Sequence, residues 1–147
     1  MAVTYIIQGR LDGLNAYVNA CRTNPYKGAK CKRSNQKICR CSIPYELRGK
    51  DREIRFPVRV EITWYEKDRR RDPDNIASAK KYILDSLVEA EVFPDDGWKY
   101  ILSFADYFQI DSKNPRIEVT IYENKEADIN EFIERCKQAM LKIRLQR

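Results

Sequence analysis

The chain has 147 residues, 43% hydrophobic and 34% charged, with 28 Lys/Arg against 22 Asp/Glu for a net charge of +6, and it contains no histidine. That composition suits a single domain, 1–147, around one core; it argues against disorder, and the absence of a long apolar run or a signal-peptide layout in MAVTYIIQGR leads to an expected cytoplasmic protein. Without imidazole there is no Ser-His or Cys-His nucleophile pair and no HExxH site, so any catalysis must run on carboxylates, lysine or a metal.

In chain order, AVTYIIQG reads as a strand closed by Gly9, and GRLDGLN as a loop into a short helical piece around Asn15 to Cys21. The turn residues of RTNPYKG interrupt it, and a basic helix follows from about Lys27 to Ser42. Residues 1–50 hold ten Lys/Arg and two Asp/Glu, a balance of +8, whereas the remaining 97 carry eighteen against twenty, a balance of −2. Such asymmetry is the footprint of a polyanion partner. It makes Lys27, Lys30, Lys32 and Arg33 candidate DNA contacts, with Tyr17, Tyr26 and Tyr45 near sugars or bases; the plain alternative is a solvated basic face. The five cysteines are odd in number and irregularly placed, so reduced thiols are expected. One residue between Cys39 and Cys41 is too few for an ordinary zinc-ligand pair.

FPVRVEITWYE alternates Val58, Val60, Ile62 and Trp64 with polar residues and Tyr65, the pattern of a half-buried strand. The spacing then predicts one amphipathic helix over 74–91, with Ile76, Ala79, Ile83, Leu87 and Ala90 on its apolar face and Asp74, Ser78, Lys81 and Asp85 opposite. Two strands follow, about 100–108 and 116–123, read as neighbours joined by a turn at DSKNP. A last helix is predicted from Asp128, an N-cap with Glu131 three residues on. The whole reads as an α+β fold, a mixed β-sheet of about four strands covered by helices.

RRRDPDN and PDDGW place carboxylates at both ends of the predicted helix. Pro73 disfavours helical geometry at Asp72, so Asp72 and Asp74 project the same way from extended chain, and Asp74 remains free to cap the helix. If Asp95 or Asp96 returns to them, the shared pocket demands a hard divalent ion, Mg²⁺ or Mn²⁺, whose bound water becomes a nucleophile. Lys81 lies on the same helical face as Asp74 and is placed to stabilise charge on a phosphate; its rival role is an ion pair with Asp85. The acids also have a dull reading as helix caps and as partners of Arg69, Arg70 and Arg71.

RRRDPDN, KYILDSL and PDDGW together resemble the RusA family of Holliday junction resolvases, small endonucleases frequent in phages and prophages. The opening IIQGRLDGLNAYVNACRTNPYKGAKCK is similar to Gram-positive phage members, so the likeness covers most of residues 5–123. It implies that Asp72, Asp74 and Asp96 ligate Mg²⁺ with Asp95 as a helper, that Lys81 is the catalytic lysine, and that the protein is a homodimer cutting branched DNA. Ser78 occupies the family's usual lysine position, and counting back from Asp85 selects Lys81, with about one extra helical turn between. The reading is a Mg²⁺-dependent endonuclease of four-way junctions, with Arg69, Arg70 and Arg71 on the DNA backbone near the scissile bond. A nuclease of flaps, forks or RNA and a non-catalytic nucleic-acid-binding protein are the alternatives.

Overall fold

A computed structural model describes residues 2–49, 54–123, 134 and 137 of the chain. Its core is organised by β2 (Val58–Glu66), whose alternating residues Val58, Val60, Ile62 and Trp64 are all buried. A strand's side chains alternate between faces, so these four share one side of the sheet. β4 (Arg116–Glu123) runs antiparallel beside β2 and adds Ile117, Val119 and Ile121 to that side; β1 (Ala2–Gln8), antiparallel to β4, adds Tyr5 and Ile7. β3 (Ile101–Ile110) pairs in parallel with the other side of β2, giving the order β1-β4-β2-β3. This is the expected α+β architecture with a mixed four-stranded sheet.

The strands flanking DSKNP are not neighbours, contrary to the sequence reading, because β2 lies between them. Parallel pairing needs a crossover, and the chain between β2 and β3 supplies it, leaving β3 on the outer edge. Residues 111–115 then bridge the end of β2, where the Asp111 amide donates to the Glu66 carbonyl at 2.8 Å.

Four helices cover the buried face: α1 (Leu14–Thr23), α2 (Pro25–Ser42), α3 (Pro73–Ala77) and α4 (Lys80–Glu89). The predicted interruption RTNPYKG shrinks to Asn24, an extended residue whose side chain accepts from the Tyr26 amide at 2.8 Å while Pro25 opens α2. Gly28 permits the tight α1–α2 approach, since a Cβ there would lie 2.5 Å from Cys21 Sγ. Ser86 Oγ of α4 donates to the Tyr82 carbonyl at 2.7 Å and to the Gln36 carbonyl of α2 at 3.1 Å, tying the two helices. Cys39 is fully buried, and burial pushes its thiol up to about 12. Cys41 is exposed on another side of α2, so the pair cannot share an ion. Cys21, Cys31, Cys39 and Cys41 are free thiols.

The single helix expected over 74–91 is broken at Ser78 and Ala79. Ser78 Oγ donates back to the Asn75 carbonyl at 2.7 Å, competing with the helical ladder, and the Ala79 and Tyr82 amides bond three residues back instead of four. The predicted apolar face survives the break: Ile76, Ala79, Ile83 and Leu87 are all buried. The helix predicted from Asp128, with Cys136, falls outside the described residues apart from positions 134 and 137.

Candidate active site

The Asp-Pro-Asp-Asn segment is held from both ends. On one side Arg71 forms an ion pair with Glu66 and donates to the Leu11 carbonyl at 2.7 Å; Arg10 reaches the same carboxylate at 3.2 Å. Glu66 is only 5% exposed, and two guanidinium groups satisfy it. On the other side, buried Asn75 accepts through Oδ1 from the Asn15 amide at 2.9 Å, at the start of α1. Gly13 makes that approach possible, because a Cβ there would meet Asn75 Oδ1 at 2.5 Å.

Between these inward anchors, Asp72 and Asp74 are exposed. Asp72 has the extended backbone that Pro73 requires, φ −72° and ψ 150°. It occupies the N-cap position that the sequence reading left open to Asp74, which lies instead within the first turn of α3. The Asp72 side chain makes no capping bond. Among the described residues neither carboxylate has a hydrogen-bond or ion-pair partner, so the reading of these two acids as caps or arginine partners finds no contact behind it.

The second acidic pair behaves differently. The chain after α4 folds back, bringing Asp96 to Lys81, whose Nζ lies 3.0 Å from Asp96 Oδ2 and 2.6 Å from Asp85 Oδ1. Asp85 also meets Lys32 at 3.2 Å and accepts from Gln36 at 3.1 Å. Bonds first to Asp85 and then to Asp96 raise the Lys81 ammonium above its ordinary value. Burial alone would raise the Asp85 carboxyl, but hydrogen bonds from Lys81 and Lys32 outweigh it and hold that group low. Asp95 accepts from the Asp96 amide at 2.9 Å and shapes the turn. The convergence of Asp96 with Asp72 and Asp74 is not seen: among the described residues no group of three or more His, Cys, Asp or Glu side chains is placed to hold a metal ion. Asp72 lines a cleft of about 550 Å³ with Glu66, Asp68 and Arg69, whereas Asp96 faces a separate groove of about 450 Å³ beside α2. Asp96 is thus paired with an ammonium that it shares with Asp85.

Asp72 and Asp74 do suit a hard ion. Mg²⁺ is commonly held by one or two carboxylates, with waters and substrate phosphates completing the shell, and two oxygen-donor groups unpartnered among the described residues meet that need.

The cations divide into two groups. Arg71, expected on DNA, is spent on Glu66 and Leu11; Lys32 is spent on Asp85. Arg70 lies 3.7 Å from Asp68 but is 86% exposed, and Arg69 is exposed with no ion pair among the described residues. On α2, Lys27, Lys30, Arg33, Lys37 and Arg40 recur at steps of three or four residues, opposite the side that buries Gly28, Asn35 and Cys39. All five are exposed and without ion pairs among the described residues. They form a stripe about 20 Å long at ~1.5 Å per residue. Lys37 and Arg40 were missed as candidates, although the same helical spacing that links Lys27, Lys30 and Arg33 points to them.

Two further residues carried no sequence signal. Lys80 pairs with Asp106 of β3 and lies 4.9 Å from the Phe104 ring, while Trp64 Nε1 donates to Asp106 at 2.9 Å. The charge of Lys80 is thus directed to the sheet, and that of its neighbour Lys81 to the acidic turn.

A family model described as endodeoxyribonuclease RusA matches residues 14–122 of the 147, well over half of the chain. No curated protein matches it.

Proposed function

Because the chain belongs to the RusA endodeoxyribonuclease family, whose members cut Holliday junctions, we propose that it resolves four-way DNA junctions in recombination and repair by Mg²⁺-dependent hydrolysis, with Mn²⁺ able to substitute. The observation that carries this reading is the pair of exposed carboxylates, Asp72 and Asp74, without partners among the described residues and set between the anchored residues Arg71 and Asn75. Two exposed oxygen-donor groups two residues apart in sequence, without partners among the described residues, suit a divalent cation. An ion bound there would supply Lewis acidity and lower the pKa of its bound water, which makes that water a nucleophile at neutral pH.

The chain's own residues do the rest. Asp72, which lines the cleft, and Asp74 two residues on would hold the ion, and Arg69, which also lines the cleft, meets the backbone phosphates. Lys81 acts as a fixed cation: a lysine is protonated at neutral pH, and its bonds to Asp85 and Asp96 strengthen that state. An ammonium has three donors; two are used on Asp85 and Asp96, which leaves one for a phosphate oxygen. Asp96 serves by orienting Lys81, and it becomes a metal ligand only if that ion pair opens when DNA binds. The α2 stripe holds flanking phosphates.

A homodimer fits the two-fold symmetry of a four-way junction, since it presents equivalent sites to opposed strands. No helix among the described residues is long and apolar enough to cross a membrane, and the same reading sets the protein in the cytoplasm of a bacterial host, encoded by a phage or prophage. The test is incubation with matched four-way, forked and linear DNA, with and without Mg²⁺. Paired nicks across the branch point, only with the ion, support resolution; equal cutting of forks or linear duplex removes the junction assignment, and no cutting of any substrate removes the nuclease.

A further inference from the structure

The cleft beside Asp72 has a floor that phosphate chemistry does not require. Phe108 and Ile110, 40% and 48% exposed, project from β3, and Pro73 and Ile76 of α3 face them across about 550 Å³. That volume lies within the ~300–1,000 Å³ of small-ligand sites. Phe108 is in register with Trp64 on the parallel neighbour strand, yet Trp64 is buried while Phe108 is open. Among the described residues no other ring and no cation stacks on Phe108. The outer edge of β3 has no neighbouring strand among the described residues, so its backbone donors and acceptors are also open.

The rim identifies the occupant. Arg69 and Asp72, both exposed and without an ion pair among the described residues, line this cleft, so a group entering it is attached to the chain whose phosphate meets Arg69. A flat apolar body carrying hydrogen-bonding edges and tethered to phosphate is a nucleobase. Taking the proposed nuclease function as its premise, we infer that the cleft receives a base displaced at the branch point of the DNA, stacked on Phe108. Unstacking costs a few kcal/mol within an intact duplex and least where pairing is already disturbed. The slot therefore favours a branch over uniform duplex and sets the neighbouring phosphate against Asp72 and Asp74.

The test measures affinity for a four-way junction and for linear duplex in EDTA, for wild type, Phe108→Leu, Phe108→Ala and Phe108→Tyr. Phe108→Leu keeps apolar bulk without a ring, so it separates stacking from loss of folding. Junction binding is expected to weaken roughly 5- to 150-fold for Leu and Ala, the range of one lost base–aromatic stack, and to persist for Tyr. Duplex binding stays unchanged. A junction with abasic nucleotides at the branch point should erase the difference between wild type and Phe108→Leu. Equal losses on junction and duplex, or a difference that survives the abasic junction, overturn the inference. So does a shift of Phe108→Leu from dimer to monomer on sizing, which would make β3 a surface for a second copy. If wild type itself does not distinguish junction from duplex, the proposed function fails first and takes this inference with it.

Discussion

Replacing Arg71 by alanine separates a positioning arginine from a DNA-binding one. The guanidinium holds the Glu66 carboxylate, which is 5% exposed, and donates to Leu11 at 2.7 Å. Breaking a buried ion pair by removing one partner costs about 3–5 kcal/mol when the remaining charge is stranded. Here Arg10 stays 3.2 Å from Glu66 and part of the gap is open to water, so the lower figure of about 2–3 kcal/mol is expected. At this chain length that corresponds to a fall in Tm of roughly 4–12 °C. Urea unfolding followed by the fluorescence of buried Trp64 measures it, with Trp98, fully exposed, contributing a nearly constant background. Arg69→Ala is the control: it should leave stability within about 0.5 kcal/mol of wild type and weaken DNA binding. An Arg71→Ala protein as stable as wild type, with a loss of DNA affinity matching Arg69→Ala, would refute the positioning role.

Two other outcomes follow from the same geometry. Lys37→Ala and Arg40→Ala should each reduce the slope of log affinity against log salt by about 0.9 if each cation neutralises one phosphate, equally for junction and duplex, and an unchanged slope removes that residue from the interface. Asp85, held below its ordinary 3.8 after Lys81 and Lys32 outweigh burial, contributes stability that is present above about pH 4 and lost as pH falls through its folded value. Asp85→Asn should therefore be about 1–3 kcal/mol less stable than wild type at neutral pH, with the gap closing in acid, as urea titrations from pH 7 to pH 2.5 will show.

The legible parts of the fold were those with a strong local period. Alternation along Val58 to Trp64 and the three- and four-residue steps of Ile76, Ala79, Ile83 and Leu87 fixed which side chains meet the core. Strand neighbours were not legible: a five-residue link such as DSKNP usually marks a hairpin, and only the parallel placement of β3 beside β2 explains why it crosses a strand here. The helix break lay hidden because the hydroxyl of Ser78 decides it, and the apolar pattern runs on undisturbed. In the site, Pro73 correctly foretold the extended backbone at Asp72. Two partners were invisible because they come from distant segments, Leu11 for Arg71 and Asn15 for Asn75; Glu66 lies only five residues before Arg71, but nothing in the local pattern singles out that pair. Asp96 did fold back along α4, but a lysine met it first.

Binding of Mn²⁺, followed by the electron paramagnetic resonance of the free ion, measures most directly whether Asp72 and Asp74 hold an ion, without any DNA cleavage. Wild type should bind Mn²⁺ competitively with Mg²⁺, while Asp74→Asn, folded and still able to bind a four-way junction, should lose that binding. Mn²⁺ affinity unchanged in both Asp72→Asn and Asp74→Asn would contradict the account.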